Sequence, residues 1–376
     1  MPPDKAVEMT THKDLKDRVR ARMARTGESY STARRHVPSR AAHAGQHHES
    51  TLLARLLERA GHRNPHTGAP YTETTLCGLA GGIGFLYAVF EYRGLPPMVT
   101  LVAQHHPQPW AEAALDRLAV RYRIGHSTAP ARALAALDRD AYCLVDGSAL
   151  PWTAAARLPT DPYPVLVTGR RGDNLLVLDR APEPHRVASE AFATAWSGYR
   201  KGRHYRLTVA GPDRPADLAA AMRDAIGTTV AHLTGPVLGS SFDVNFGFSG
   251  MRRFADQLRD TRGRTGWARR MAAPGALDAA LRRVYECLEE QYTAPAATRP
   301  MYADFLDEAA VVLAEPRPAA AARLFRESGA LWSAVALGGD LAAMADRVDA
   351  ARAAEEKAVA ILAGIVENGP AAPTSR

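Results

Sequence analysis

The sequence predicts an α+β domain with an antiparallel sheet, followed by an all-helical domain. Three observations lead there. A leucine stripe at helical spacing comes first, strand-length apolar runs follow between Met98 and Val209, and Ala-rich sequence of helical period fills the chain beyond Gly211-Pro212-Asp213-Arg214-Pro215. At 376 residues the chain exceeds the size at which one hydrophobic core usually stops growing, so two domains are the default. The boundaries read as a basic helical leader over 1–40, an α+β domain over 41–212, a helical domain over 213–367 and a disordered tail over 368–376.

The leader segment Thr11 to Val37 reads as two short helices broken at Thr26-Gly27-Glu28. The next helix starts at His47, where Leu52, Leu53, Leu56 and Leu57 form an apolar stripe that ends at Gly61. A further helix is expected over Glu73 to Glu91. Its run Gly78-Leu79-Ala80-Gly81-Gly82-Ile83-Gly84-Phe85 points to close backbone approach or a loop against a ligand. Strands are expected at Met98 to Val102, Tyr142 to Val145, Val165 to Thr168, Leu175 to Leu178 and His204 to Val209. The third and fourth form a hairpin through Arg170-Arg171-Gly172-Asp173.

Charge and cysteine usage narrow the function classes. The net charge is +7, but Met1 to Arg40 carry ten Lys/Arg against five Asp/Glu, which leaves only +2 for the rest of the chain. A nucleic-acid binder needs a basic face on its folded part, so no nucleic-acid partner is expected. Cys77, Cys143 and Cys287 are too widely spaced for a disulfide framework or a CxxC metal pair. The first residues hold no apolar signal core and no stretch approaches a membrane span, so a cytoplasmic location and no membrane partner are expected. The glycine run lacks the Lys-Ser/Thr of a phosphate-binding loop, and no cofactor is predicted.

Four blocks then carry a resemblance: GQHHESTLLARLLERAG, TETTLCGLAGGIGFLY, CLVDGSALPW and PYPVLVTGRRGDNLLVLD. In order and spacing they resemble the butirosin-H-type N-terminal domain. The blocks FGFSGMRRFADQLRDT and RPMYADFLDEAA resemble the helical domain of unknown function that often follows it. The resemblance implies a papain-like fold and a place in natural-product biosynthesis, with an acyl group passed from a carrier-protein thioester to an amine. Such chemistry uses a cysteine thiolate at a helix N-terminus, a histidine base and an orienting carboxylate. This sequence has His48 at the cysteine position, Tyr163 (or Pro164, one residue on) at the histidine position, and Asp179 at the carboxylate position.

Individual residues can be weighed on their chemistry. At a helix start the dipole disfavours imidazolium, so a neutral His48 is expected, able to act as a base, with His47 beside it. Tyr163 can serve as a phenolic acid or as an oxyanion donor, or simply open a strand. Glu49 and Ser50 read as helix-start residues that border a substrate, and Ser50 is also a candidate nucleophile. Cys77, ahead of the glycines, is another candidate nucleophile, or a buried inert thiol. Gly81, Gly82, Asp146 and Trp152 complete the candidate substrate-binding set. A metal held by His43, His47, His48 and Asp179 would need a helix across Gly45, and none is predicted. In the second half Arg299, Tyr302, Asp304, Asp307 and Glu308 share a helix whose apolar face, Tyr302, Phe305, Leu306 and Ala309, is for packing.

Three functions fit. The first is a cofactor-free acid/base enzyme acting on an acylated or carbonyl-containing biosynthetic intermediate by cyclisation, elimination, isomerisation or non-covalent acyl transfer. The second is an acyltransferase fed by an acyl carrier protein, with a relocated nucleophile. The third is a non-catalytic scaffold of the same pathway. The helical half suits a homodimer interface as well as a lid.

Overall fold

The computed structural model describes residues 45–92, 96–107, 109–153 and 162–367. The leader at 1–40, the tail at 368–376 and His43 lie outside them.

Helix α1 (His48–Arg59) forms where the leucine stripe predicts it, with Leu52, Leu53, Leu56 and Leu57 all buried. Each fully buried leucine contributes roughly 1.5–3 kcal/mol of hydrophobic stabilisation, enough to fix which face turns inward. Helix α2 (Glu73–Leu79) starts on a Thr72 side-chain cap and stops just before the glycine pair. Gly81 and Gly82 have φ of +110° and +64°, and the chain leaves them as strand β1 (Ile83–Phe90), which pairs antiparallel with β2 (Met98–Gln104). The single helix expected over Glu73 to Glu91 is therefore a helix, a turn and a strand. Two consecutive left-handed residues cannot continue a right-handed helix.

After α3 (Trp110–Arg117) come β3 (Tyr122–Gly125), α4 (Pro130–Ala135), β4 (Ala141–Asp146), β5 (Pro162–Arg171), β6 (Asn174–Leu178), β7 (His185–Ala188), α5 (Ser189–Gly198) and β8 (Arg206–Val209). The last strand begins two residues later than the sequence predicts. These six strands form one antiparallel sheet in the order β3-β8-β4-β5-β6-β7. The predicted hairpin joins β5 to β6 through Gly172 at φ +58°. Short β3 and β7 are edge strands that the sequence does not announce, since four residues carry too little alternation to read. One face of the sheet packs Leu166, Leu178 and Leu207 into the core that holds α1. The other packs Cys143, Tyr163, Val165 and Val167 against Phe192 and Trp196 of α5.

The helical half follows: α6 (Leu218–Thr234), α7 (Gly247–Arg259), α8 (Trp267–Arg270), α9 (Ala276–Glu289), α10 (Arg299–Val312), α11 (Arg317–Ala336) and α12 (Leu341–Glu367). The molecule is thus α+β with a C-terminal helical region. The β1–β2 hairpin lies within that region, against α7 and α9. One hydrophobic cluster runs from Leu52 through Phe85 and Leu101 to Phe254, Trp332 and Leu362. On α10, Tyr302, Phe305, Leu306 and Ala309 are buried as the sequence predicts. Glu308 accepts from Thr75 on α2 at 2.6 Å, and Asp304 and Asp307 pair with Arg326.

Arg299, fully buried, binds the equally buried Glu355 through Nε and Nη2 at 2.9 and 3.0 Å. Its guanidinium also donates to the carbonyls of Ala103 at 2.8 Å and Gly84 at 3.1 Å. Trp332 and Ser328 donate to the Glu355 carboxylate. A charge pair with every donor placed is the condition under which burial is tolerated. It fixes the end of β2, where the next residue is Gln104. No described helix is long and apolar enough to cross a membrane.

Candidate active site

Helix α1 points its N-terminus at the end of the sheet where β5 begins and β6 ends. His48, the first helical residue, meets Asp179, the residue after β6, with Nε2 2.6 Å from Oδ1. The other carboxylate oxygen accepts from Tyr163 Oη at 2.7 Å and from Trp152 Nε1 at 2.7 Å. The Arg180 amide donates to Oδ1 at 2.7 Å, so both oxygens are engaged. The His48 and Tyr163 rings lie 4.7 Å apart, and Trp152 stacks flat on His185 at 4.0 Å. Burial alone would push the Asp179 carboxyl up. The hydrogen bond and charge of His48, with the Tyr163 and Trp152 donors, outweigh it and hold the carboxyl well below the usual carboxylate range. The structure brings together His48, Tyr163, Asp179 and Trp152.

A carboxylate in direct contact acts at shorter range than the half-charge of a helix end, so Asp179 is the nearest charge to the His48 ring and orients it.

His47 is buried and caps α1: Nδ1 accepts from the Ser50 amide at 3.3 Å and from the Ser50 hydroxyl at 2.7 Å. That fixes its proton on Nε2, which donates to Gln104 Oε1 at 2.7 Å. Burial lowers the His47 pKa to about 4, against the raising effect of Gln104, so the ring is neutral at pH 7. Gln104 passes the chain on, donating through Nε2 to Glu49 Oε2 at 2.9 Å. Burial, opposed by that hydrogen bond and aided by Glu112, raises Glu49 to about 7. His47, His48, Glu49, Gln104, Pro164 and Arg180, with Glu290, Tyr292 and Thr293, surround a narrow cleft of about 10 Å³, room for roughly one water.

Other predicted residues stand elsewhere. Ser50 has a histidine partner in His47, not His48, yet both are buried, so its hydroxyl is withheld from a substrate. Cys77 is buried too, and burial pushes its thiol up to about 12, the opposite of an activated nucleophile. Gly81 and Gly82 do not line the cleft. A Cβ on Gly81 would lie 2.7 Å from the His105 ring and one on Gly82 2.4 Å from Tyr302, so their smallness serves packing. Asp146 caps its own turn, accepting from the Ser148 amide and hydroxyl at 2.9 and 2.6 Å. No group of three or more metal-ligating side chains occurs among the described residues.

Sequence reasoning misses Gln104, Arg180, Glu290, Tyr292 and Thr293. Gln104 ends β2, Arg180 follows β6 by two residues and neither carries a motif, while Glu290, Tyr292 and Thr293 arrive from the helical half, more than a hundred residues downstream. The family model described as Domain of unknown function (DUF4872) matches residues 189–365, from α5 to the end region of α12. The match covers the helical region and begins inside the sheet-bearing half, at α5. No curated protein matches the chain.

Proposed function

We propose that this protein is a cofactor-free acid/base enzyme of natural-product biosynthesis, acting on an acylated or carbonyl-containing intermediate without a covalent adduct. The observation that carries the reading is the contact of His48 with an Asp179 whose second oxygen is held by Tyr163 and Trp152, at a helix start that borders a cleft. This is the arrangement in which a carboxylate orients an imidazole and stabilises its charged form while the ring takes a proton. Glu49, with a pKa of about 7, is a carboxylic acid able to return a proton near neutrality from the same cleft. The substrate class rests on the butirosin-H-type resemblance, which also implies the papain-like fold, and an acyl carrier protein is the donor where the substrate is a thioester.

The burial of Ser50 and Cys77 weighs against a relocated nucleophile. The test is turnover of a panel of acyl thioesters and activated carbonyl compounds, with and without amine acceptors, by wild type, His48→Ala and Asp179→Asn. The reading expects product from wild type and a loss of at least about a hundredfold in both variants, the usual scale of general acid/base catalysis. Turnover that survives both substitutions overturns it, and binding without turnover in wild type would make the protein a scaffold.

A further inference from the structure

Some described arginines are matched by carboxylates: Arg59 by Asp140, Arg117 by Asp224, Arg270 by Glu91, Arg326 by Asp304 and Asp307. At the β3 edge of the sheet three arginines gather around one cavity instead. A surface pocket of about 470 Å³, far roomier than the cleft at His48, is lined by Arg132, Arg203, Arg206 and His126, and no carboxylate lines it. Strands β8 and β4 stand between it and β5, which carries Tyr163.

The wall of this pocket is built, not draped. Arg203 and His204 both take left-handed backbone, at φ of +47° and +52°, which costs energy for side chains of their size. Bonds to the facing segment hold them there: His204 Nδ1 to Ser127 O at 2.6 Å, the Ser127 amide to Arg203 O at 2.8 Å, and His126 Nδ1 to Gly202 O at 3.0 Å. Ser197 Oγ holds the other nitrogen of the buried His204 at 2.9 Å. The Arg206 guanidinium lies across Gly125 on β3, where a Cβ would sit 2.5 Å from its Cζ.

Three arginines line this cavity and no carboxylate lines it, so its lining favours an anionic occupant. We infer that this pocket binds a small phosphate-bearing molecule, its phosphate oxygens taken by Arg132, Arg203 and Arg206. Guanidinium forks match phosphate oxygens two at a time, and the cavity has the volume of a small-molecule site. The site is separate from His48 and Asp179 and does not depend on their chemistry.

The experiment is isothermal titration of the full chain with inorganic pyrophosphate at about 150 mM salt, where diffuse surface attraction is screened. Wild type is expected to bind one equivalent saturably. The exposed Arg132→Gln should weaken binding about tenfold and Arg132→Gln/Arg206→Gln should weaken it further, while Arg252→Gln on a remote exposed arginine changes it less than about twofold. Citrate, of similar charge, should bind more weakly than pyrophosphate. Absence of saturable binding up to about 10 mM, binding unchanged in Arg132→Gln, or citrate binding as tightly as pyrophosphate would each overturn the inference.

Discussion

At the scale of single residues, the site is a helix-start histidine whose orientation is set by the carboxylate that faces it. Tyr163→Phe removes one of the donors that orient Asp179 but leaves the His48 contact, so turnover should fall only about tenfold, against a hundredfold or more for Asp179→Asn. The Asp179 carboxyl, held low by its partners, stabilises the fold above the ordinary carboxylate pKa of about 4, and that stabilisation is lost as pH falls through its depressed folded value. Glu49 behaves in the opposite sense. Its raised pKa of about 7 means its contribution is fully present below about 4.5 and is lost as pH rises through 7. Glu49→Gln should therefore raise the melting temperature relative to wild type at pH 8 and leave it nearly unchanged at pH 4.5, as thermal melts across pH will register. His48, Tyr163 and Asp179 are legible in the sequence through the order of the resembling blocks, and Trp152 through the Leu-Pro-aromatic step. Gln104 is not, because a glutamine at a strand end acquires meaning only from the two side chains it happens to bridge.

At the scale of elements, the apolar patterns place α1, β2, β4, β5 and β6, while backbone sign decides what they cannot. Ile83 to Phe90 is apolar on both faces because β1 is buried, so period alone does not separate it from a helix. The glycine pair before it makes the decision. Gly82→Ala adds a methyl against Tyr302 at a left-handed position and should destabilise by about 1–3 kcal/mol, measurable by denaturant unfolding. The Arg299–Glu355 strut works between elements, tying the end of β2 to α10 and α12. Arg299→Met leaves Glu355 as a buried charge without its partner and should cost about 3–5 kcal/mol. Because Ala103, its carbonyl partner, precedes Gln104, the same substitution should also loosen the Gln104 bridge and depress activity in protein that remains folded.

At the scale of the whole molecule, the Gly/Pro-rich boundary near residue 212 marks a change of texture but not an end of the core. The hydrophobic cluster is continuous from α1 to α12, and the β1–β2 hairpin packs among helices that follow it by more than a hundred residues. Residues 45–212 expressed alone should lack the surface that covers this hairpin and fail to give a cooperative melt, whereas the full chain should unfold in one transition by calorimetry. Glu290, Tyr292 and Thr293 supply one wall of the cleft, so the cleft beside His48 is built from both halves.

The most direct measurement is intact-mass spectrometry of wild type and His48→Ala during turnover of an acyl thioester that wild type consumes. Acid/base chemistry at His48 predicts product formation with the protein mass unchanged throughout, and at least about a hundredfold slower product formation from His48→Ala. A stoichiometric acyl adduct on wild type, mapped to Cys77 or Ser50 and still forming in His48→Ala, would contradict it.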